Sequence, residues 1–312
     1  MSDYIISYDF GYHNWYVGEF YSFFHKKIEE KTGLKFEHLP ISQMAQRFGH
    51  PSNNHSDSLF NWFNLIILNT KTEKMFVHSW YDYACVTIDW CHQHNFNIAK
   101  FSCVSNLSDD YLMKYDFAQP SVYCLENWSD HNLIKKHTNN PNKVNKSFFA
   151  ALSHGLRGQV MNTLNQFEFF DVFDKTKPEE HKPKEKYYQE LSTYRYGLSL
   201  NGAANICYRD LELFGLGVIN LRQPLNCNTF NPLIPDVHYI NFLDNDFISK
   251  IHNSQNVENE IKDKINFLED FYNSNKYNEM IDNSNEWYIN NCLPENQFEI
   301  IYSFLDDLEI LN

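Results

Sequence analysis

The sequence has no apolar run long enough to cross a bilayer, and this limits the class of protein that it encodes. Its longest apolar runs, such as Phe63–Leu68, are far shorter than the roughly 20 residues of a membrane-spanning helix. Its first residues lack a basic stretch, a long apolar segment and a small-residue cleavage site. With 43% hydrophobic and 17% aromatic residues, these absences predict a cytoplasmic, water-soluble globular protein with large cores.

The sequence also lacks an excess of positive charge and a regular cysteine pattern. The formal net charge is -14 at pH 7, which argues against a general nucleic-acid binder because neutralising phosphates requires a basic surface. The 7 cysteines are an odd number at irregular spacing, which indicates reduced cysteines rather than a disulfide scaffold. Any phosphate group must therefore be bound locally.

Metal-ligand spacing is a further feature that the sequence lacks. Two groups contain residue types that bind metals: His50, His55 and Asp57, and Cys91, His92 and His94. Neither group has a recognised ligand spacing, and positions 91, 92 and 94 cannot all converge if that stretch is helical. We therefore expect structural or solvent-facing roles for these residues and no bound metal.

What the sequence does contain is an alternation of strand-like and helix-like segments. The predicted strands are 4–8, 35–41, 63–69, 74–79, 98–104, 121–125, 148–152, 167–172, 197–200 and 218–221. The predicted helices are 15–30, 83–94, 157–166, 184–191, 205–214, 257–272 and 295–308. The short segment 70–73 predicts a hairpin or a closely spaced strand pair, and the alternation elsewhere favours parallel sheets with helices on both faces.

The length and one polar segment predict how the chain divides. A chain of 312 residues suits two domains of about 150 residues each. The Asn-rich segment Asp130–Lys146 predicts a linker between them. We therefore expect an α/β protein with Rossmann-like domains at 1–140 and 141–255, followed by helices at 256–312 that pack across both.

The segment with the clearest chemistry is Tyr194–Val218. It predicts a strand that ends at Leu200, a small-residue turn around Gly202, and a helix that carries Arg209 and Glu212. A small-residue turn lets a ligand reach the backbone N–H groups at a helix N-terminus, where the dipole favours a diphosphate. Arg209 adds a cation, and Glu212, on the same helix face, can accept hydrogen bonds from ribose hydroxyls; the alternative is a simple ion pair on the helix surface.

Together with Pro232–Ile240, this segment resembles the donor domain of GT-B glycosyltransferases. The similarity is to the protein O-glucosyltransferase and capsule-associated family and its bacterial and large-virus relatives. Members of that family show a strand, a Gly turn, an Arg-x-x-Glu helix, a Gly-x-Gly-Val-like turn and a Pro-x-x-His-Tyr element. The resemblance covers about 45 residues and implies that Gly202, Arg209 and Glu212 bind a nucleotide-sugar donor.

A second segment, Lys146–Arg157, resembles the first strand of the same donor domain and the loop that follows it. The resemblance implies that Ser153, Gly155 and Arg157 also contact the donor, with Arg157 on phosphate. The family has a Gly/Ser loop at this point, where this sequence has Ser-His-Gly. The alternative is an ordinary strand followed by an arginine at the start of a helix.

An inverting transferase needs a base that removes the proton of the acceptor hydroxyl. Asp82 is the first candidate, because it follows a predicted strand at the edge where open α/β sheets place ligands, and it weakly resembles the family's strand-then-Asp-Tyr element. Its alternative role is the N-cap of the next helix. Asp57 and His13 are the other candidates, for each of which an ordinary loop position is the competing interpretation.

The resemblance implies a complete activity. The protein would move a sugar, glucose or xylose, from a UDP-sugar to a glycan or protein-linked acceptor, with inversion and without a metal or other cofactor. An Asp-x-Asp metal motif occurs only at Asp244–Asp246, after the donor segment. The alternatives are a nucleotide-sugar-binding protein without catalysis and a UDP-sugar epimerase of GT-B architecture.

Overall fold

Two five-stranded sheets, one from each half of the chain, form the framework of the protein. The computed structural model describes residues 2–9, 15–50, 58–81, 84–104, 107–122, 128–138, 140–201, 206–225, 228–306 and 310–311. Strands alternate with helices in both halves, so the fold class is α/β, as the sequence predicts. None of the helices within these residues is long and apolar enough to cross a membrane.

The first sheet is mixed. Its strands are β1 (Tyr4–Ser7), β2 (Glu37–Leu39), β3 (Asn64–Asn69), β4 (Met75–Ser79) and β5 (Ile98–Cys103), in the order β2-β1-β3-β4-β5. In this sheet β3 runs antiparallel to both of its neighbours, and the other pairs are parallel. The expectation of a parallel sheet is therefore wrong for β3, because the short connection at 70–74 cannot hold the crossover of a dozen or more residues that a parallel pair needs. The predicted hairpin is confirmed.

Helices cover both faces of the first sheet. They are α1 (Trp15–Thr32), α2 (Ile41–Arg47), α3 (Ala84–Gln93) and α4 (Asp109–Lys114). Because successive strand residues point to opposite faces, Ile5 lies in the apolar cluster formed with α2 and α3, whereas Ile6 lies in the cluster formed with α1. All of β3 is buried, which explains its nearly continuous apolar sequence.

A fully buried histidine lies near the carboxyl end of this sheet. His78, on β4, accepts a hydrogen bond at Nε2 from Nε1 of Trp80 at 3.2 Å, so its proton resides on Nδ1. Nδ1 lies 2.6 Å from Oγ of Ser102 and donates to it. Burial lowers the pKa of His78 to about 3, and the imidazole therefore stays neutral in the folded protein.

This histidine predicts a loss of stability in mild acid. Between pH 6.5 and 3 the unfolded chain binds a proton at His78 that the folded chain does not, so the free energy of unfolding falls as the pH falls, by about 1.4 kcal/mol per pH unit from this residue. We expect urea denaturation at pH 7, 6 and 5 to show that H78Q has a flatter profile. His131, whose pKa burial lowers to about 4, acts in the same direction and remains in the variant as a reference. Equal slopes for the two proteins would contradict this assignment.

The second sheet is entirely parallel. Its strands are β6 (Val144–Ala151), β7 (Phe170–Asp174), β8 (Tyr194–Ser199), β9 (Ile219–Arg222) and β10 (Ile240–Asn241), in the order β10-β9-β8-β6-β7. The chain moves outward from β6 to β7 and then returns to β8 on the other side of β6. This is a doubly wound order: β7 is added on one side of β6, and β8 and the later strands are added on the other side. Such a switch point opens a crevice at the carboxyl ends of β6 and β8.

Helices also cover both faces of the second sheet. They are α5 (Trp128–His137), α6 (Leu156–Leu164), α7 (Lys184–Leu191), α8 (Tyr208–Leu216), α9 (Asn245–His252), α10 (Glu258–Tyr272) and α11 (Asn275–Cys292), with a short 3-10 turn at Pro178–Glu180. The apolar cluster on one face includes α6, α9 and α10. The cluster on the opposite face includes α5, α7 and α8. The helices α6 and α8, which follow β6 and β8, therefore leave the sheet on opposite sides.

The last helix, α12 (Pro294–Asp306), returns to the first sheet. Phe298, Ile301 and Phe304 pack in the same apolar cluster as β1 and α1. Beyond the helix, the main-chain oxygen of Ile310 accepts a hydrogen bond from Nδ2 of Asn69 at 3.0 Å. The first sheet is thus covered on one face by segments from both ends of the described chain.

Several segments differ from the sequence interpretation, which did not predict the helices α2, α4 and α9. Residues 130–137 of the predicted linker belong to α5, because Ile134 is buried against α8. The predicted strand at 121–125 is reduced, among its described residues, to an isolated bridge between Ser121 and Thr229. The helix α11 was not predicted because its apolar residues are few among asparagines, yet Tyr277, Met280, Trp287 and Tyr288 are buried along one side of it.

Candidate functional site

A cavity of about 270 Å³ lies at the switch point of the second sheet. It is lined by the carboxyl ends of β6 and β8, by the start of α8 and by Lys175, the residue after β7. Since α6 and α8 leave the sheet on opposite faces, the two strand ends are open between them. The chain therefore places its cavity where doubly wound sheets bind their ligands.

Close packing of α8 on β8 fixes one wall of this cavity. Gly197, in β8, lies so near the helix that a Cβ atom added to it would be 2.2 Å from Cδ2 of Leu213. Any side chain at this position would force the side chain of Leu213 to shift. The glycine therefore allows Leu213 of α8 to pack directly on the backbone of β8.

Arg209 is the buried cation of the cavity. It is the second residue of α8, and its side chain is only 13% exposed. Nη2 donates to the main-chain oxygen of Ala150 at 3.4 Å, and the guanidinium lies 4.9 Å from the ring centroid of Tyr187. Nη1 has no hydrogen-bond partner within the described part of the chain. Because a buried donor without an acceptor costs about 1–3 kcal/mol, this geometry fits an anionic ligand better than a purely structural role.

Glu212 holds Arg209 in place. Its Oε2 lies 3.3 Å from Nε of Arg209, so the ion pair considered as an alternative in the sequence does form. The hydroxyls of Tyr187 and Tyr188 also donate to this carboxylate, at 3.0 and 3.2 Å. Burial raises the pKa of both tyrosines, which keeps them protonated as donors. Glu212 lines the cavity as well, and its contact with a ribose stays a prediction.

The start of α6 carries the second arginine. Arg157 lines the cavity, and its Nη2 donates to the main-chain oxygen of Asn201 at 3.2 Å. Gly155 is the N-cap residue of this helix and has φ 52° and ψ -130°, a conformation that favours glycine. Ser153 points elsewhere: its Oγ lies 3.3 Å from Oγ1 of Thr176 in the neighbouring loop. The structure therefore brings Arg157 to Arg209, but not Ser153.

Four of the predicted site residues, Gly202 in the turn before α8 and the candidate bases Asp82, Asp57 and His13, lie outside the described residues. Their roles remain predictions from the sequence. The described residues that adjoin the turn, Leu200 and Cys207, both line the cavity.

A network of buried polar groups joins Asn201 and Cys207, which lie on either side of the segment 202–205, and the sequence interpretation missed it. Arg222 and Asp210 are fully buried and form an ion pair at 3.0 Å. The Nη2 of Arg222 also donates to Oδ1 of Asn201 at 3.0 Å. Asp210 accepts from Nδ2 of Asn220 and from the main-chain N of Cys207, both at 2.7 Å. Both ends of the turn are thus tied to one buried ion pair.

The Pro-x-x-His-Tyr element packs against Arg222 of the same buried ion pair. Nδ1 of His238 accepts from the main-chain N of Ile234 at 2.8 Å and so closes a local turn. Tyr239 is buried, and its ring centroid lies 5.4 Å from the guanidinium of Arg222. The element therefore stabilises Arg222 and does not line the cavity.

Lys175 is a cavity cation that was not predicted. Its main-chain N donates to the oxygen of Ala151 at 2.8 Å, which ties it to the end of β6. Its Nζ lies 4.8 Å from the ring centroid of Tyr187, the same ring that Arg209 faces. Its position directly after a parallel strand is a sequence signal that could have identified it, since such strand ends share one edge of the sheet.

The charges of the cavity favour an anion. Among the described residues that line the cavity, Arg157, Lys175 and Arg209 are positively charged and only Glu212 is negatively charged. This local excess of positive charge occurs in a chain whose formal net charge is -14. Cations held in a partly buried pocket attract phosphate more strongly than cations in water. The site is suited to a ligand that carries one or two phosphates.

The residues considered for metal binding have other contacts where the structure describes them. Asp244 caps α9 by accepting from the main-chain N of Phe247 at 2.9 Å, and Asp246 pairs with Lys250 at 2.6 Å. His50 and His94 pack edge-on against each other, with ring centroids 5.4 Å apart. Within the described ranges, no three His, Cys, Asp or Glu side chains are grouped so as to hold a metal ion.

Comparison with known proteins gives no sequence match but does give a structural likeness. No family model matches the sequence, and no curated protein sequence matches it. A crystal structure of a glycosyltransferase from Rickettsia africae ESF-5 aligns with 95% of this chain and 94% of its own, at a TM-score of 0.48 and 8% identity. A likeness at this level establishes neither a shared fold nor a shared activity. The function is therefore inferred from the cavity and its residues.

Proposed function

We propose that the protein is a glycosyltransferase whose second sheet binds the diphosphate of a nucleotide sugar. The observation that carries this proposal is the partly unpaired guanidinium of Arg209, buried at a switch point beside Arg157 and Lys175. The resemblance of the Tyr194–Val218 segment to donor domains supports the same ligand. UDP is the proposed carrier, and glucose or xylose the proposed sugar.

In this proposal the cations act on the leaving group. As the bond between the anomeric carbon and the diphosphate breaks, negative charge grows on the phosphate oxygens, where Arg157, Lys175 and Arg209 stabilise it. Fixed cations thereby do the work that a metal ion does in other transferases. Glu212 holds Arg209 and accepts from the ribose.

The first sheet supplies the acceptor side in the proposed GT-B arrangement. Asp82 follows β4 and removes the proton of an acceptor hydroxyl on a glycan or protein-linked sugar, while that oxygen attacks the anomeric carbon from the side opposite the diphosphate. The product has the inverted configuration. Asp57 and His13 are the alternative bases.

A donor panel tests the proposal. We expect UDP and a UDP-sugar to raise the midpoint of thermal unfolding, and the UDP-sugar to release UDP faster when a glycan acceptor is present. UDP should also slow alkylation of Cys207, which lines the cavity, without protecting Cys85, which is also partly exposed but lies on α3. Binding without any turnover would favour a nucleotide-sugar-binding protein instead. Failure to bind any nucleotide or nucleotide sugar would refute the proposal.

A further inference from the structure

Two large apolar side chains remain exposed in the lining of the cationic cavity. Leu152 is 44% exposed and Tyr208 is 40% exposed, and both line the cavity. They come from neighbouring strand ends, since Leu152 follows β6 and Tyr208 begins α8 after β8. Single exposed apolar residues are common on protein surfaces, but here two of them share a cavity with three cations.

The cavity thus has a buried charged part and an exposed apolar part. Tyr208 and Arg209 are consecutive on α8, and consecutive helix residues point about 100° apart. Accordingly, the Arg209 side chain is only 13% exposed, whereas Tyr208 is 40% exposed. A ligand that fits this arrangement has a charged group inside and a flat apolar group outside.

The size of the cavity supports a ligand that extends beyond it. Its volume of about 270 Å³ is below the roughly 300–1,000 Å³ of pockets that enclose most of a drug-sized ligand. In a bound nucleotide the diphosphate and the ribose would therefore occupy the buried part, and the base would lie over the exposed side chains. An aromatic ring offers such a base a stacking surface.

We infer that Tyr208 and Leu152 form a platform on which the nucleobase of the donor stacks, so that the site selects a nucleoside diphosphate over a diphosphate alone. This inference rests on the proposed binding of a nucleotide sugar. The ring of Tyr208 contacts one face of the base, and the side chain of Leu152 adds apolar contact from the end of β6.

The test compares two ligands that differ by the nucleoside. Isothermal titration with UDP and with inorganic pyrophosphate separates contacts to the base from contacts to the phosphates. Since stacking of a base on an aromatic ring contributes about 1–3 kcal/mol, Y208A should bind UDP roughly 5- to 150-fold more weakly. It should bind pyrophosphate as the unmodified protein does. Y208F, which keeps the ring, should retain most of the affinity for UDP.

The outcomes distinguish this inference from the proposed function. Y302A, which removes a tyrosine of α12 that does not line the cavity, serves as the matched control and should bind UDP normally. If Y208A binds UDP normally but a UDP-sugar weakly, the ring contacts the sugar and the platform is refuted. If Y208A lowers the affinity for UDP and for pyrophosphate by the same factor, the ring does not contact the base. If the unmodified protein binds neither ligand, the proposed function itself fails.

Discussion

Replacing Arg209 with alanine is expected to weaken UDP binding by at least about 100-fold. Hydrogen bonds to charged groups contribute about 1.5–3 kcal/mol each, and a factor of 100 corresponds to about 2.7 kcal/mol. Arg209 presents a forked guanidinium inside the cavity, with Nη1 free of protein acceptors in the described structure. Isothermal titration of the variant with UDP measures the loss directly.

Two further variants make this result specific. R209K keeps the charge but not the planar fork, so it should recover part of the affinity. R195A is the matched control, because Arg195 lies on the same sheet, packs its guanidinium 3.2 Å from the ring centroid of Tyr272, and does not line the cavity. Thermal unfolding shows whether each variant is folded, since Glu212 loses an ion-pair partner in R209A but keeps its two tyrosine donors. Unchanged UDP affinity in a folded R209A would remove the central site assignment.

Replacing Arg222 with methionine is expected to lower the free energy of unfolding by about 3–5 kcal/mol, because it leaves a buried carboxylate without its cation. Both members of the Arg222–Asp210 pair are 0% exposed. Urea denaturation measures the change. Ligand binding at the cavity should weaken as well, because Nη2 of Arg222 holds Asn201 at the start of the turn.

A second substitution tests the cause of this loss. In the double variant R222M/D210N the unpaired charge is gone, and an asparagine oxygen can still accept from the main-chain N of Cys207. The double variant should therefore be more stable than R222M alone, although removing either charge singly is destabilising. Equal or lower stability of the double variant would mean that lost packing, rather than an uncompensated charge, destabilises R222M.

The sequence was most informative where local rules decide the structure. Short apolar runs correctly predicted β6 and β8, which are buried on both faces, and helical periodicity correctly predicted α7 and α8. Both patterns are visible in a short window. The spacing of Arg209 and Glu212 correctly placed them on one side of a helix, although it could not show that two tyrosines from α7 would complete the contacts of Glu212.

Features that depend on distant partners were beyond the sequence. Arg222 ends an apolar strand, and only the fold shows that Asp210 on the preceding helix, α8, lies against it. The polar composition of α5 suggested a linker, and that of α11 left the helix unpredicted. Both helices are stabilised by contacts of their few apolar residues with α8 rather than by helix propensity. The position of Lys175 after a strand is visible in the sequence, but the strand order that places β7 beside β6 is not.

The return of α12 to the first sheet also orders events during synthesis. The apolar face that α1 begins to cover is completed by Phe298, Ile301 and Phe304, which are translated after every strand of both sheets. The second sheet gains its last core residues, among them Trp287 and Tyr288 of α11, only shortly before. The half of the protein that is made first therefore waits for almost the whole chain, and until then its uncovered aromatic surface needs protection from aggregation.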